Sequence, residues 1–218
     1  MKTTRRLLLS ICAAIATSAT SQGAFTLYTD YNSFTSAISL YNPGTISFSN
    51  IPTGAFPNAS YTTNGYTMNA SSVGGLYGET YVVDPTIRFL SVGGAAADDL
   101  VMTFSTNVYA VGGWFMAAEN NLKASSFTAT IVAGGITNIF TNNTTTNNSP
   151  SVNYDNTFLG WLYDTNIASL TLSTDPGNVG FPTAANQITL AVPEPSTYAL
   201  LALSAAGLAG YVIRRRRS

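Results

Sequence analysis

The side chains with the widest chemistry are scarce in this 218-residue chain. It contains no histidine, so no imidazole can act as a general base or a metal ligand. The single cysteine, Cys12, falls in an N-terminal apolar run. Once that run is removed, the chain has no thiol nucleophile, no disulfide and no cysteine-ligated zinc. Serine–histidine and cysteine–histidine catalysis are thereby excluded. Between residues 24 and 192 there remain one amine, Lys123, and nine carboxylates: Asp30, Glu79, Asp84, Asp98, Asp99, Glu119, Asp155, Asp164 and Asp175. Glycoside cleavage needs two such acids roughly 5–10 Å apart in a cleft, and no spacing here marks a pair. The expectation is a protein with no catalytic residues. Asp98-Asp99, Asp84, Glu79 and Asp175 are hard oxygen donors beside turns, the kind calcium takes at loop ends. No EF-hand or repeat spacing joins them. Turn formation and solubility account for them, and no cofactor is expected.

The most informative spacing lies at the C-terminus. Pro193-Glu194-Pro195 precedes an apolar run of 17 residues, Thr197 to Ile213, which ends in Arg214, Arg215, Arg216 and Arg217. At 1.5 Å per residue a helix of that length covers roughly 26 Å, enough for a thin membrane span. Its Ala and Gly content makes it a weak anchor. The arginines act as a cytoplasmic stop-transfer cluster and leave the preceding domain outside. The two prolines hold the chain extended and deny it helical hydrogen bonds. Glu194 is thus presented on an accessible strand as the one charged label.

The N-terminus has the form of a signal peptide over residues 1–23. Lys2, Arg5 and Arg6 open it, Leu7 to Ala16 form an apolar run too short to span a membrane, and cleavage after Ser21 or Gly23 fits the small residues there. Sec-type export is expected. The Arg5-Arg6 pair also resembles a twin-arginine signal, but nothing points to a cofactor folded before export.

The ordered set of Pro-Glu-Pro, apolar span, arginine cluster and chain end resembles the PEP-CTERM sorting signal of exported bacterial proteins. The resemblance covers residues 192–217. It implies processing by an exosortase, transient anchoring in the inner membrane through residues 197–213, and removal of the tail. It also implies a final place on the cell surface or in the extracellular matrix of a Gram-negative-type host that makes exopolysaccharide.

The part between these ends, residues 24–191, reads as one antiparallel β-sandwich domain, jelly-roll-like, with one short N-terminal helix. Apolar and hydroxyl residues alternate in short runs around Ile46-Phe48, Leu100-Phe104, Phe127-Ala133, Leu170-Leu172 and Ile188-Leu190. Each run has one greasy and one polar face, as in half-buried strands. Two runs, Val108–Met116 and Phe158–Tyr163, are apolar on both faces and read as central strands. Their glycines suggest a bulge or a close backbone approach. Asn64-Gly65 signals a type I′ hairpin. Asp30 is placed to cap a helix carrying Phe34, Ala37 and Ile38 on one face. Residues 141–157, rich in Asn and Thr, read as a loop. Regular short strands punctuated by turns favour the sandwich, and the pattern loosely resembles ectodomains found on PEP-CTERM proteins.

Such sandwiches also resemble carbohydrate-binding modules, though fold does not fix function. Trp114 and Trp161 could stack on sugar rings, but both are flanked by apolar residues and core burial is favoured. Residues 24–192 carry two basic and nine acidic side chains, a net −7. Such a surface is repelled by phosphate backbones, so no nucleic-acid partner is expected. The expected role is structural, in an exopolysaccharide-associated envelope. The alternative is a non-catalytic module that binds the exopolysaccharide.

Overall fold

The fold is described from a computed structural model at residues 24–80, 88–93, 98–105, 108–118, 124–142, 158–174, 181–193 and 203–204. In chain order the strands are β1 (Phe25–Tyr28), β2 (Tyr41–Ser47), β3 (Gly54–Phe56), β4 (Ala59–Thr63), β5 (Tyr66–Ser71), β6 (Leu76–Thr80), β7 (Arg88–Val92) and β8 (Leu100–Phe104). They continue as β9 (Ala110–Ala118), β10 (Ala124–Ser125), β11 (Phe127–Ala133), β12 (Ile136–Asn142), β13 (Phe158–Tyr163), β14 (Ile167–Ser173) and β15 (Phe181–Pro193). One helix, α1 (Tyr31–Ala37), lies between β1 and β2.

Two antiparallel sheets pack face to face. The first runs β1-β13-β9-β15-β7-β6-β3, with β10 paired to β9 and β2 paired to β15; the second runs β12-β11-β14-β8-β5-β4. This is the expected all-β sandwich with one short helix. The alternating runs became strands because each could turn its apolar side to the opposite sheet. β11 shows this directly, with Phe127, Ala129, Ile131 and Ala133 buried and Thr128, Thr130 and Val132 partly exposed. Trp161, Phe115, Phe127, Leu100, Met102 and Leu170 sit in the core between the sheets.

The two doubly apolar runs became β9 and β13, neighbours in the first sheet. One face of each enters the sandwich core. The other face lies under α1, where Phe34, Ile38, Ala110, Phe158 and Ala191 form a second, smaller core. Asp30 caps α1 as expected, its Oδ1 accepting from the Ser33 N–H at 2.7 Å. The bonds from Ser33 hold the Asp30 carboxyl below its ordinary value. Phe34 reaches the sheet because Gly112 and Gly160 lie beneath its ring. A Cβ on Gly112 would stand 2.6 Å from Phe34 Cε1, and one on Gly160 would run into the same ring.

The long strand β15 carries two neighbours on one side. Its first half pairs with β7 (Thr183 with Ser91) and its second half with β2 (Gln187 with Ser47). The register against β9 slips between Ala185 and Ile188, a bulge at the handover. Gly113 lies across from the bulge, one of the two alternatives the glycines suggested, while Gly112 makes room for the Phe34 side chain rather than for another backbone. The Asn64-Gly65 turn joins β4 to β5 with positive φ at both residues, 46° and 80°. That is the type I′ requirement. The strand β12 occupies residues that include Thr141 and Asn142, the start of the stretch read as a loop.

Candidate sorting site and aromatic face

The sorting motif begins inside the sheet. β15 continues through Val192 and Pro193, past the expected domain boundary at 191, with Val192 opposite Asn42 and Pro193 opposite Tyr41. Pro193 has no N–H to donate to the ladder, and it is the last residue of its strand. Pro195 repeats the deficit two residues later.

The exit is braced from the second sheet. Asn64 Nδ2 donates to the Pro43 carbonyl at 2.8 Å, and the Tyr66 hydroxyl donates to the Asn42 carbonyl at 2.7 Å. On the inner side, Tyr109 N–H donates to the Ala191 carbonyl at 2.9 Å. Glu194, Pro195, the run from Thr197 except Leu203 and Ser204, and Arg214 to Arg217 lie outside the described residues, as does the signal peptide 1–23. Leu203 and Ser204 are helical. No helix among the described residues is long and apolar enough to cross a membrane.

The two tryptophans have different fates. Trp161 is 0% exposed, packed on Phe115 and Phe140 between the sheets, which removes it as a glycan contact. The reason is parity: on β13 it shares the inward face with Tyr163, while Phe158 and Leu162 face α1. Trp114 lies on the outer face and is half-buried. Its ring is 5.0 Å from Tyr31 of α1 and 5.3 Å from Phe158, centroid to centroid. Sequence reasoning treated the tryptophans alike; Tyr31, which makes Trp114 part of an aromatic cluster, was missed. Its position at the first residue of a helix lying on β9 and β13 was the signal available.

Asp98 and Asp99 precede β8, Glu79 lies in β6, and Asp84 and Asp175 are outside the described residues. Among the described residues no three acidic, histidine or cysteine side chains gather into a set that could hold a metal ion.

The outer face of the second sheet is uncharged, mostly hydroxyl and amide groups with Val101, Val132 and the exposed Ile139 among them. One row across the strands reads Ser60, Asn69, Thr103, Ser169, Val132 and Thr137. The next reads Ser71, Val101, Thr171, Thr130 and Ile139. Neighbouring strands are about 4.8 Å apart, so six strands present a band about 24 Å across.

A sandwich whose last strand ends on the first proline of Pro-Glu-Pro fits the class of exported domains delivered on a C-terminal sorting tail. The comparison with protein families makes it specific, for the model described as the PEP-CTERM protein-sorting motif matches residues 191–217. A search of curated proteins found no match. The chain carries the PEP-CTERM motif, which makes it an exported, membrane-transiting protein sorted by an exosortase-type enzyme.

Proposed function

We propose that the domain is a structural component of an exopolysaccharide-associated envelope. The precursor is held in the inner membrane by residues 197–213, cut at the tail, and released to the cell surface or extracellular matrix. It performs no catalysis and takes no cofactor. The observation that carries this reading is the uncharged, hydroxyl-rich outer face of the second sheet, in a domain whose first sheet leads through Pro193 of β15 into the sorting motif. Such a face stays hydrated without a strong field and suits packing among neutral or weakly charged polymer chains.

A second reading rests on the Tyr31–Trp114 pair, which gives a carbohydrate-binding module an aromatic foothold. Stacking contributes only ~1–3 kcal/mol per ring, taking nucleic-acid bases as the guide, so such binding would be weak and insensitive to salt.

Co-sedimentation of the mature protein with purified host polysaccharide at two salt concentrations separates the readings. The structural role predicts no specific retention at either concentration. Retention that survives salt and is lost in Trp114→Ala favours the module. Turnover of the polymer would overturn both.

A further inference from the structure

Both ends of the domain leave the first sheet on the same side. Phe25 pairs with Tyr163, Tyr163 N–H donates to the Tyr109 carbonyl, Tyr109 N–H donates to the Ala191 carbonyl, and Val192 pairs with Asn42. These residues form one row across the strands. Ala24 and Pro193 are each one residue beyond it, three strands apart or about 14 Å. The turn at Gly134-Gly135 reaches the same end, because Gly134 N–H donates to the carbonyl of Asn166 in the turn that follows β13. So does the Asn64-Gly65 turn, through its bond to Pro43.

Three large apolar side chains are exposed together at this end. Leu40 is 85% exposed, Phe25 43% and Ile136 40%. Asp164 is the one charged side chain at this end among the described residues, and it is exposed. Asp30, Asp98 and Asp99 lie at the opposite end, where β1 finishes and β8 begins.

The tether is short. Four Cα steps separate Pro193, fixed in the ladder, from Thr197, where the apolar run opens. Fully extended they reach at most ~14 Å. The headgroup layer on one side of a bilayer takes roughly 6 Å of that. What is left is too little for the domain to stand clear of the membrane or to turn another side to it.

We propose that the end formed by Leu40, Phe25, Ile136 and the three turns is a membrane-contacting face, which lies on the lipid surface until the tail is cut. Leu40 enters the boundary between headgroups and acyl chains, at the depth where apolar side chains of surface-bound segments settle. The opposite, acidic end points away from anionic lipid. The scissile segment is then confined between the sheet end and the bilayer, and the processing enzyme must reach it within the plane of the membrane surface.

The test uses the full-length chain carrying Cys12→Ser, with one new cysteine at Leu40→Cys or Val73→Cys for an environment-sensitive fluorophore. Val73 is 96% exposed in the loop after β5, at the far end. The proteins are reconstituted in phosphatidylethanolamine–phosphatidylglycerol vesicles containing a lipid with a nitroxide high on its acyl chain. The expected result is loss of fluorescence from the label at residue 40 and none from that at 73. If Leu40→Cys fails to fold by circular dichroism, Ile136→Cys reads the same face. Equal quenching at both ends, quenching at neither, or quenching at residue 40 only when the exosortase shares the vesicle would overturn the proposal. The last outcome would assign the face to the enzyme.

Discussion

Phe34 stands on two glycines. Its ring is fully buried against β9 and β13 only because Gly112 and Gly160 have no Cβ. Gly160→Ala should therefore lift α1 from the sheet and cost about 1–3 kcal/mol, read as a lower urea midpoint of the mature domain. Phe34→Ala empties the same site and should cost about 3–5 kcal/mol. Tyr163 makes a different prediction. Burial pushes its hydroxyl from 10.0 up to about 12, with Asn138 pulling slightly the other way. A group whose folded value is raised adds stability that is complete below its unfolded value and is lost as pH climbs through the folded one. The domain should therefore lose stability between pH 10 and 12, and Tyr163→Phe should lose less. Part of the loss will remain, because burial also raises Tyr61. At this scale the sequence was readable where residue type excludes chemistry, as with the missing histidine. It was not readable where parity and a covering helix decide, as with Trp114 outside and Trp161 inside.

The β4–β5 hairpin tests how far local turn chemistry sets an element. Gly65 has φ 80° and open space around it, so Gly65→Ala carries a backbone cost without a clash. That cost is about 1–2 kcal/mol. Asn64→Ala should be at least as damaging, because Asn64 also tolerates its positive φ and donates to Pro43. Thermal melts of the two variants check this. The hairpin was legible because its signal lies in two adjacent residues. The alternating strands were legible for the same local reason, and α1 through its cap. Strands β3, β6 and β7 were not singled out. They are short or lack strict alternation, and they are added in series, β3 on β6, β6 on β7 and β7 on β15, whose bulge and change of partner depend on residues far away in the chain. β12 was partly hidden in an Asn- and Thr-rich stretch, because an edge strand needs little apolar character.

For the whole molecule, the central claim is that domain and sorting tail meet without a spacer. Pro193 is the last residue of the ladder and the first of the Pro-Glu-Pro motif. The tail's three-part pattern was plain from residue types alone; that its first proline belongs to the sheet was not, since proline usually marks the end of a strand rather than a paired position. Cutting beyond Pro193 leaves every pairing of β15 intact, so tail removal should not change the melting temperature of the soluble domain. With no cysteine after residue 12, that temperature should also be the same with and without reductant. The most direct test is the intact mass of the protein recovered outside an exosortase-bearing host. The account predicts a chain that begins after residue 21 or 23, retains Pro193, and lacks the apolar span and its arginines. A mature extracellular protein still carrying Arg214 to Arg217 would contradict it.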